Sequence, residues 1–445
     1  MAGQHSFSQR LCGLSIALLA LQCLCVLCKP TAREDADSIL ALSNGVVPEY
    51  VTRYAPLVWL HSDDPFRPAD LLQHIRHTTP TVNQTAIPDL PELDLDNLAL
   101  LNDIGGGKVA LTSNDDITTL PAWLYGSSPD DSGRIANATP CVVILVEHNP
   151  RNVDAFFFYF YSYDRGANIT QVLEPLNRLI EDTEHGMHFG DHVGDWEHNM
   201  VRFRDGKPIG IWYSQHVSGA AYDWNHKALS KEDERPLVFS AYGSHANYAS
   251  PGDHVHDSAL IDYCDAGRLW DPVLSAYFYH LDPATFKLTH LLQSKSNAST
   301  ASNLTSFFYY TGLWGDAQYP DSDPRQKTVP HFGLKRFVSG PQGPIVKQLV
   351  RKKLSPDHLE KKPWMQWAVV IFMSLYPCCL RGWRVWVSAI VAIALVILAV
   401  LGVRYGVKYG MRRYVTRKGY RKLDAEIPLN DMNGSGESSG LHTPS

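Results

Sequence analysis

Residues 188–203 read HFGDHVGDWEHNMVRF. The second half, EHNMVRF (197–203), has the branched and aromatic character of a β-strand, while the first half crowds Asp191, His192, Asp195, Glu197 and His198 around Trp196. On an extended strand alternate side chains share a face, so Asp195 and Glu197 point one way and Trp196 and His198 the other. His192 lies across Gly194, where a turn or bulge can swing its imidazole onto the acidic face. Carboxylates held this close repel each other unless a cation sits between them or one stays protonated. A divalent metal resolves the conflict most simply, and oxygen ligands with one nitrogen suit Mg²⁺, Ca²⁺ or Mn²⁺ better than a closed structural Zn²⁺ site. The plain alternative is a solvated strand end.

Working outward, the neighbouring stretches are also strands: CVVILVEHN (141–149), AFFFYFYSY (155–163), PIGIWYSQH (208–216) and PLVFSAYG (236–243). They follow one another closely enough to pair as antiparallel neighbours. PADLLQHIRH (68–77) and LEPLNRLIED (173–182) read as short peripheral helices. The expected fold class is mainly β, an antiparallel β-sandwich with helical insertions over residues 29–337. Asp164, His216 and His245 each stand at the end of an apolar strand. If these strands finish on one rim, Asp164, His192, Asp195, Glu197, His216 and His245 gather in one cleft. The tryptophans Trp196, Trp212, Trp224, Trp270 and Trp314 are expected in the core or at sandwich edges, and Asp63 and Asp64 before Pro65 as turn residues.

The ends of the chain point to a membrane. Leu11 to Leu27 is a nearly unbroken apolar run after Arg10, followed by Cys28, Lys29 and Pro30, the pattern of a secretory signal peptide over 1–28; an uncleaved anchor is the alternative. Val385 to Val403 is free of charge and long enough to cross a hydrocarbon core of about 30 Å as one transmembrane helix. Arg404 to Lys422 carries eight Lys or Arg and no Asp or Glu, which places residues 404–445 in the cytoplasm as a basic tail ending in disorder. The expected topology is single-pass type I. Residues 364–384 are expected at the interface, with a short second span as the alternative, and residues 338–363 as a polar linker.

Sequons at Asn83, Asn137, Asn168, Asn297 and Asn303 fit a glycosylated lumenal body. Cys141 and Cys264 are the only cysteines between Lys29 and Pro377. In an oxidising compartment they are expected to pair, closing a loop worth about 4 to 5 kcal/mol; two separate buried thiols are the alternative. The net charge of −6 gives no reason to expect nucleic acid as a partner.

The stretches YAPLVWLHSDDPFRPADL (54–71), HFGDHVGDWEHNMVRF (188–203), IWYSQHVSGAAYDW (211–224) and RPLVFSAYGSHANYASPGDH (235–254) resemble the fungal vacuolar protein sorting-associated protein sixty-two family. The resemblance covers roughly residues 50 to 340 and implies a role in delivering proteins to the vacuole, with no established enzymatic activity. DHVGDWE is more distantly similar to the G-H-R-H-D-W-E heptapeptide of the necrosis-inducing protein family, through the shared H-x-x-D-W-E core. That similarity implies a divalent metal held by His192, Asp195 and Glu197 with Asp164 upstream, and His216 and His245 as further histidines. Asp191 and Gly194 depart from the heptapeptide. The expected function is binding of a glycan, lipid headgroup or cargo protein by a metal-bearing lumenal domain. A metal-dependent hydrolase of phosphate or glycosidic bonds, with His216 or His245 as general acid or base, is the alternative, and a scaffold whose metal only staples strand ends is a third reading.

Overall fold

The strand AFFFYFYSYD runs through the middle of the molecule, and its unbroken apolar character follows from being covered on both faces. The structure is a computed structural model that describes residues 42, 45–168, 188–255, 260–293, 304–328, 333–359, 364 and 383–417. In chain order the strands are β1 (Leu57–Leu60), β2 (Thr78–Val82), β3 (Thr85–Ala86), β4 (Val109–Ser113), β5 (Cys141–Asn149), β6 (Asn152–Asp164), β7 (Ala167–Asn168), β8 (His188–Phe189), β9 (His192–Arg204) and β10 (Lys207–Gln215). They continue with β11 (Ser218–Asp223), β12 (Lys231–Glu232), β13 (Arg235–Ser240), β14 (Asn247–Tyr248), β15 (Gly252–Val255), β16 (Ile261–Cys264), β17 (Arg268–Trp270), β18 (Ala276–Asp282) and β19 (Lys287–Leu291).

Among the described residues, β11-β10-β9-β6-β5-β18-β19 form a seven-stranded sheet and β12-β13-β1-β17 with β14 a five-stranded one. The sheets enclose a core containing Val58, Leu60, Val143, Phe157, Tyr159, Tyr161, Val238 and Trp270. Burying each of these large side chains stabilises the fold by roughly 1.5–3 kcal/mol. The protein is mainly β, a sandwich as expected. Most pairs are antiparallel, but β5 with β18 and β1 with β13 are parallel. The second parallel pair sends the chain out of β1 and β13 at the same end, which matters for the site below.

The outer face of the larger sheet is covered by short helices and coil. Leu71, Ile75, Leu98, Leu101, Phe307, Trp314 and Leu349 pack there on Phe156, Phe158, Trp196 and Trp212. The helix expected at 68–77 spans Leu71–Arg76 and is capped by Asp70, whose carboxylate accepts from the Gln73 amide at 2.9 Å. Trp196, Trp212, Trp270 and Trp314 are buried, and Trp224 packs at the margin of the inner core.

Two expectations are corrected. Residues 338–359 of the expected linker are part of the body, because Leu349 and Arg351 are buried and the Arg202 guanidinium donates to the carbonyls of Arg351, Lys352 and Lys353. Arg202 is itself clamped by both oxygens of buried Asp154 at 2.7 Å, and Arg351 lies 4.8 Å over the Phe156 ring. A Pro- and Gly-bearing composition signalled coil, and this coil is pinned. The expected Cys141–Cys264 disulfide is absent, and both are free, buried thiols. Cys141 points into the inner core, whereas Cys264 sits in a separate cluster with Phe239 and Tyr248 and donates to the Phe239 carbonyl at 3.6 Å. Burial pushes both thiols up, which keeps them inert.

The helix Trp383–Arg417 belongs to a separate unit and contains the expected span 385–403; by length and composition it is sufficient to cross a membrane. Asn83 and Asn137 are exposed and Asn168 is half-buried. The signal peptide, the helix expected at 173–182, Asn297, Asn303, all of 365–382 and the tail from 418 lie outside the described residues.

Two outcomes follow from this packing. Without reductant, iodoacetamide should label Cys141 and Cys264 in urea but not in the native protein, read by peptide mass spectrometry; a disulfide-linked peptide pair would show the bond forms after all. Gly194 has φ +71°, and a Cβ there would stand 2.0 Å from the Trp314 carbonyl oxygen. Gly194→Ala should therefore lower unfolding free energy by about 2 kcal/mol or more in urea titration.

Candidate metal centre

β6 and β9 are antiparallel partners, so the end of one meets the start of the other and Asp164 pairs with His192. Two residues further along β9, the left-handed Gly194 interrupts the pleat. Beyond it the alternation is regular: Asp195 and Glu197 lie opposite Tyr161 and Tyr159 on the inner face, and Trp196 lies in the outer cluster. The glycine lets His192 turn toward Asp164, with its Nε2 3.6 Å from Asp164 Oδ2 and its Nδ1 2.7 Å from the Gly194 carbonyl oxygen.

His245 arrives from the other sheet, in the turn between β13 and β14. It is 1% exposed, its ring stacks on Tyr161 at 3.7 Å between centroids, and its Nδ1 donates to Asp195 Oδ2 at 3.0 Å. Its backbone has φ +53°, an uncommon conformation for a residue with a side chain. Asp164, Asp195 and His245 are all buried and offer one ligand atom each within 4.8 Å of one another, an arrangement that could hold a metal ion. Glu197 and His192 flank this trio without joining it. Glu197 accepts from Ser214 Oγ, which in turn accepts from the His198 amide at 3.0 Å.

His216 stands apart. At the tip of the β10–β11 hairpin its Nε2 donates to Asp262 Oδ2 at 2.9 Å, and Asp262 also accepts from Ser244 Oγ and Tyr248 Oη. A cavity of about 240 Å³ is lined by members of both groups, Asp164 and His192 together with His216, Ser244 and Asp262.

The electrostatics reflect crowding. Burial first, then the charges of Asp195, Asp191, Glu197 and Asp64, push the Asp164 carboxyl well above the usual carboxylate range. Burial and then Asp195 raise Glu197 to about 7, against the pull of Lys347, Ser214 and His216. Asp191 is raised by burial, with Tyr163 Oη and the Gly166 amide donating to it as a partial offset. His192 is lowered by burial despite Asp195. His245 is raised, because its bond to Asp195 and the charges of Asp64 and Asp195 outweigh burial.

Sequence reasoning missed three contributors. Asp64 performs the expected turn chemistry through Oδ1, which accepts from the Phe66 amide, but its Oδ2 accepts from the Gly243 amide and faces His245 Nε2 at 3.5 Å. Asp262 and Ser214 carried no local signal, since their partners His216 and Glu197 are 46 and 17 residues away in the chain.

Comparison with known proteins bears on this site. Residues 179–264, which contain Asp195, Glu197, His216, His245 and Asp262, match the profile of the family described as vacuolar protein sorting-associated protein 62. The Saccharomyces cerevisiae protein TDA6 is 33% identical over 356 residues, covering 73% of this chain and 71% of the yeast one. Vacuolar protein sorting-associated protein 62 of the same yeast is 34% identical over 350 residues, covering 72% and 70%. The chain belongs to the vacuolar protein sorting-associated protein 62 family. Two solved structures are similar at a lower level. Necrosis and ethylene inducing protein 2, from the causal agent of cocoa's witches' broom disease, has TM-score 0.23 and 12% identity over 45% of this chain and 68% of that one. The non-toxic HaNLP3 protein has TM-score 0.24 and 10% identity over 60% and 84%. The sandwich itself rests on the strand pairing above.

One titration in this family member is readable in solution. Burial lowers the His216 imidazole, but the charge and hydrogen bond of Asp262, with Glu197 and Asp195 behind, outweigh it and raise the group to about 9. A raised histidine stabilises the fold fully below about 6.5 and loses that contribution as pH rises through about 9. The destabilisation caused by Asp262→Asn should be largest at pH 6 and shrink by pH 10, with the His216 NMR titration moved downward. A gap between the two proteins that is unchanged across this range would refute the pairing.

Proposed function

We propose that this chain is a type I membrane glycoprotein of the endomembrane system whose lumenal body holds a divalent cation and uses it to bind a ligand or cargo in the targeting of proteins to the vacuole. The observation that carries the reading is the convergence of Asp164, Asp195 and His245 in a buried rim beside an open cavity. Two carboxylate oxygens and one imidazole nitrogen suit Mg²⁺, Ca²⁺ or Mn²⁺. The crowding itself supports a cation, since Asp164 cannot ionise beside Asp195 at ordinary cost without one. The names of the yeast relatives support the vacuolar role. The apolar helix Trp383–Arg417 supports membrane anchoring.

When bound, the cation supplies a fixed positive charge for an oxygen donor such as a glycan hydroxyl, a lipid headgroup or a cargo carboxylate. The chain's own residues do the rest. His192 and Glu197 flank the trio, Ser214 holds the Glu197 carboxyl in place, and His216 and Ser244 also line the cavity. Its 240 Å³ is small against usual ligand pockets, which matches one headgroup, sugar ring or side chain. A second reading, metal-assisted hydrolysis of a phosphate or glycosidic bond, is favoured by Glu197, whose titration near 7 suits proton transfer.

The test is elemental. Full-length protein in detergent, equilibrated with Mn²⁺ and desalted, should retain about one metal ion per chain, and the Asp195→Asn variant a small fraction of that. Equal retention by the two proteins, or none in either, would sink the metal reading. Turnover of a model phosphate ester or glycoside by the loaded wild type, lost in Glu197→Gln, would select the hydrolytic reading over binding.

A further inference from the structure

The parallel pairing of β1 with β13 brings the loop after one strand against the turn after the other. The loop presents Asp64 and the turn presents His245. Asp64 is 3% exposed and is held from both sides, by the Phe66 amide on Oδ1 and the Gly243 amide on Oδ2, each at 2.9 Å. Gly243 has φ +78°, and a Cβ there would stand 2.3 Å from the Arg165 carbonyl oxygen, so a residue without a side chain is what lets this turn pack against Arg165 while its amide reaches Asp64. The result is a rigid carboxylate aimed at a histidine edge. His245 Nε2 is buried, without a hydrogen-bond partner among the described residues, and 3.5 Å from Asp64 Oδ2. On the opposite edge of the ring, Nδ1 lies 3.0 Å from Asp195.

A neutral imidazole carries one proton and one lone pair, so it cannot donate at both edges. Binding a cation through Nδ1 requires that this nitrogen give up its proton to solvent, and the remaining proton then resides on Nε2. We infer that Asp64 is the positioning residue of the metal centre: it accepts the Nε2 proton of His245, selecting the tautomer whose Nδ1 lone pair faces Asp164 and Asp195. Tyr161 stacking fixes the plane of the ring, and Asp64 fixes which edge carries the proton. Carboxylate partners of this kind are common behind metal-binding histidines, and losing one weakens metal affinity by roughly 10–100-fold. The assignment rests on the divalent-cation reading of the preceding section.

Two measurements on the full-length protein in detergent test it. Mn²⁺ affinity, followed by the loss of the free-ion electron paramagnetic resonance signal, should fall by roughly 10–100-fold in Asp64→Asn and recover in part in Asp64→Glu. Nitrogen-15 NMR of histidine-labelled wild type loaded with diamagnetic Mg²⁺ or Ca²⁺ should show His245 protonated at Nε2, and this measurement needs no variant to fold. Wild type that binds Mn²⁺ while its His245 carries the proton on Nδ1, or an Asp64→Asn protein that binds as tightly as wild type, overturns the role of Asp64 and leaves the metal centre standing. A wild-type chain that takes up no Mn²⁺ overturns the centre and the role together.

Discussion

Asp64, Asp164, Asp191, Asp195 and Glu197 are all buried at one end of the sandwich, where burial opposes the ionisation of Asp164, Asp191 and Glu197, and the charge of Asp195 adds to it at Asp164 and Glu197. Burying an unpaired charge costs several kcal/mol, so such a cluster survives only if every member has a specific answer to its charge. The answers are visible one by one. Asp191 takes Tyr163 Oη and the Gly166 amide, Asp64 takes two backbone amides, Glu197 takes Ser214, and Asp195 takes His245. Among the described residues Asp164 has the weakest answer, the His192 Nε2 at 3.6 Å, and it lies on the trio that could hold a cation.

The sandwich supplies these residues from both of its sheets. β6 and β9 bring Asp164, His192, Asp195 and Glu197, while β1 and β13 bring Asp64 and His245. A site shared between sheets is rigid in proportion to the core beneath it. Here that core is the aromatic layer of Tyr159, Tyr161 and Trp270, where Tyr159 meets Trp270 edge-on at 5.3 Å. The outer face is closed by the segment up to residue 359, clamped by Arg202 and Arg351 against Asp154, Phe156 and His198. The chain leaving the body toward the membrane-length helix is thus tied down for much of the interval that composition alone marks as a spacer.

Much of the strand framework was legible because apolar runs bounded by turn residues are a local signal. CVVILVEHN matches β5 to the residue, and the Asp195/Glu197 versus Trp196 division of faces follows from the pleat. The cluster was legible as a crowd of ligand-type side chains, and its partial membership was not. His245 replaced Glu197 and His192 in the compact trio because a left-handed turn and a stacking contact with Tyr161 decide its direction, and neither is encoded within its own neighbourhood. Asp64 was read as a turn residue and is one, but its second oxygen serves a residue 181 positions away.

By itself the sequence determined the β character of the body, the apolar segments near its ends, the family and the residue types available for metal chemistry, since each depends on composition, short-range periodicity or ordered blocks. The tertiary structure alone decided that Cys141 and Cys264 remain apart in different clusters, that the coil after residue 338 is packed, and which of the acids and histidines meet. The physical reason is that strand formation is governed by neighbours along the chain. Convergence of side chains from β6, β9 and the β13–β14 turn depends instead on pairing register, on parallel or antiparallel order, and on a few glycines whose backbone angles no local pattern specifies.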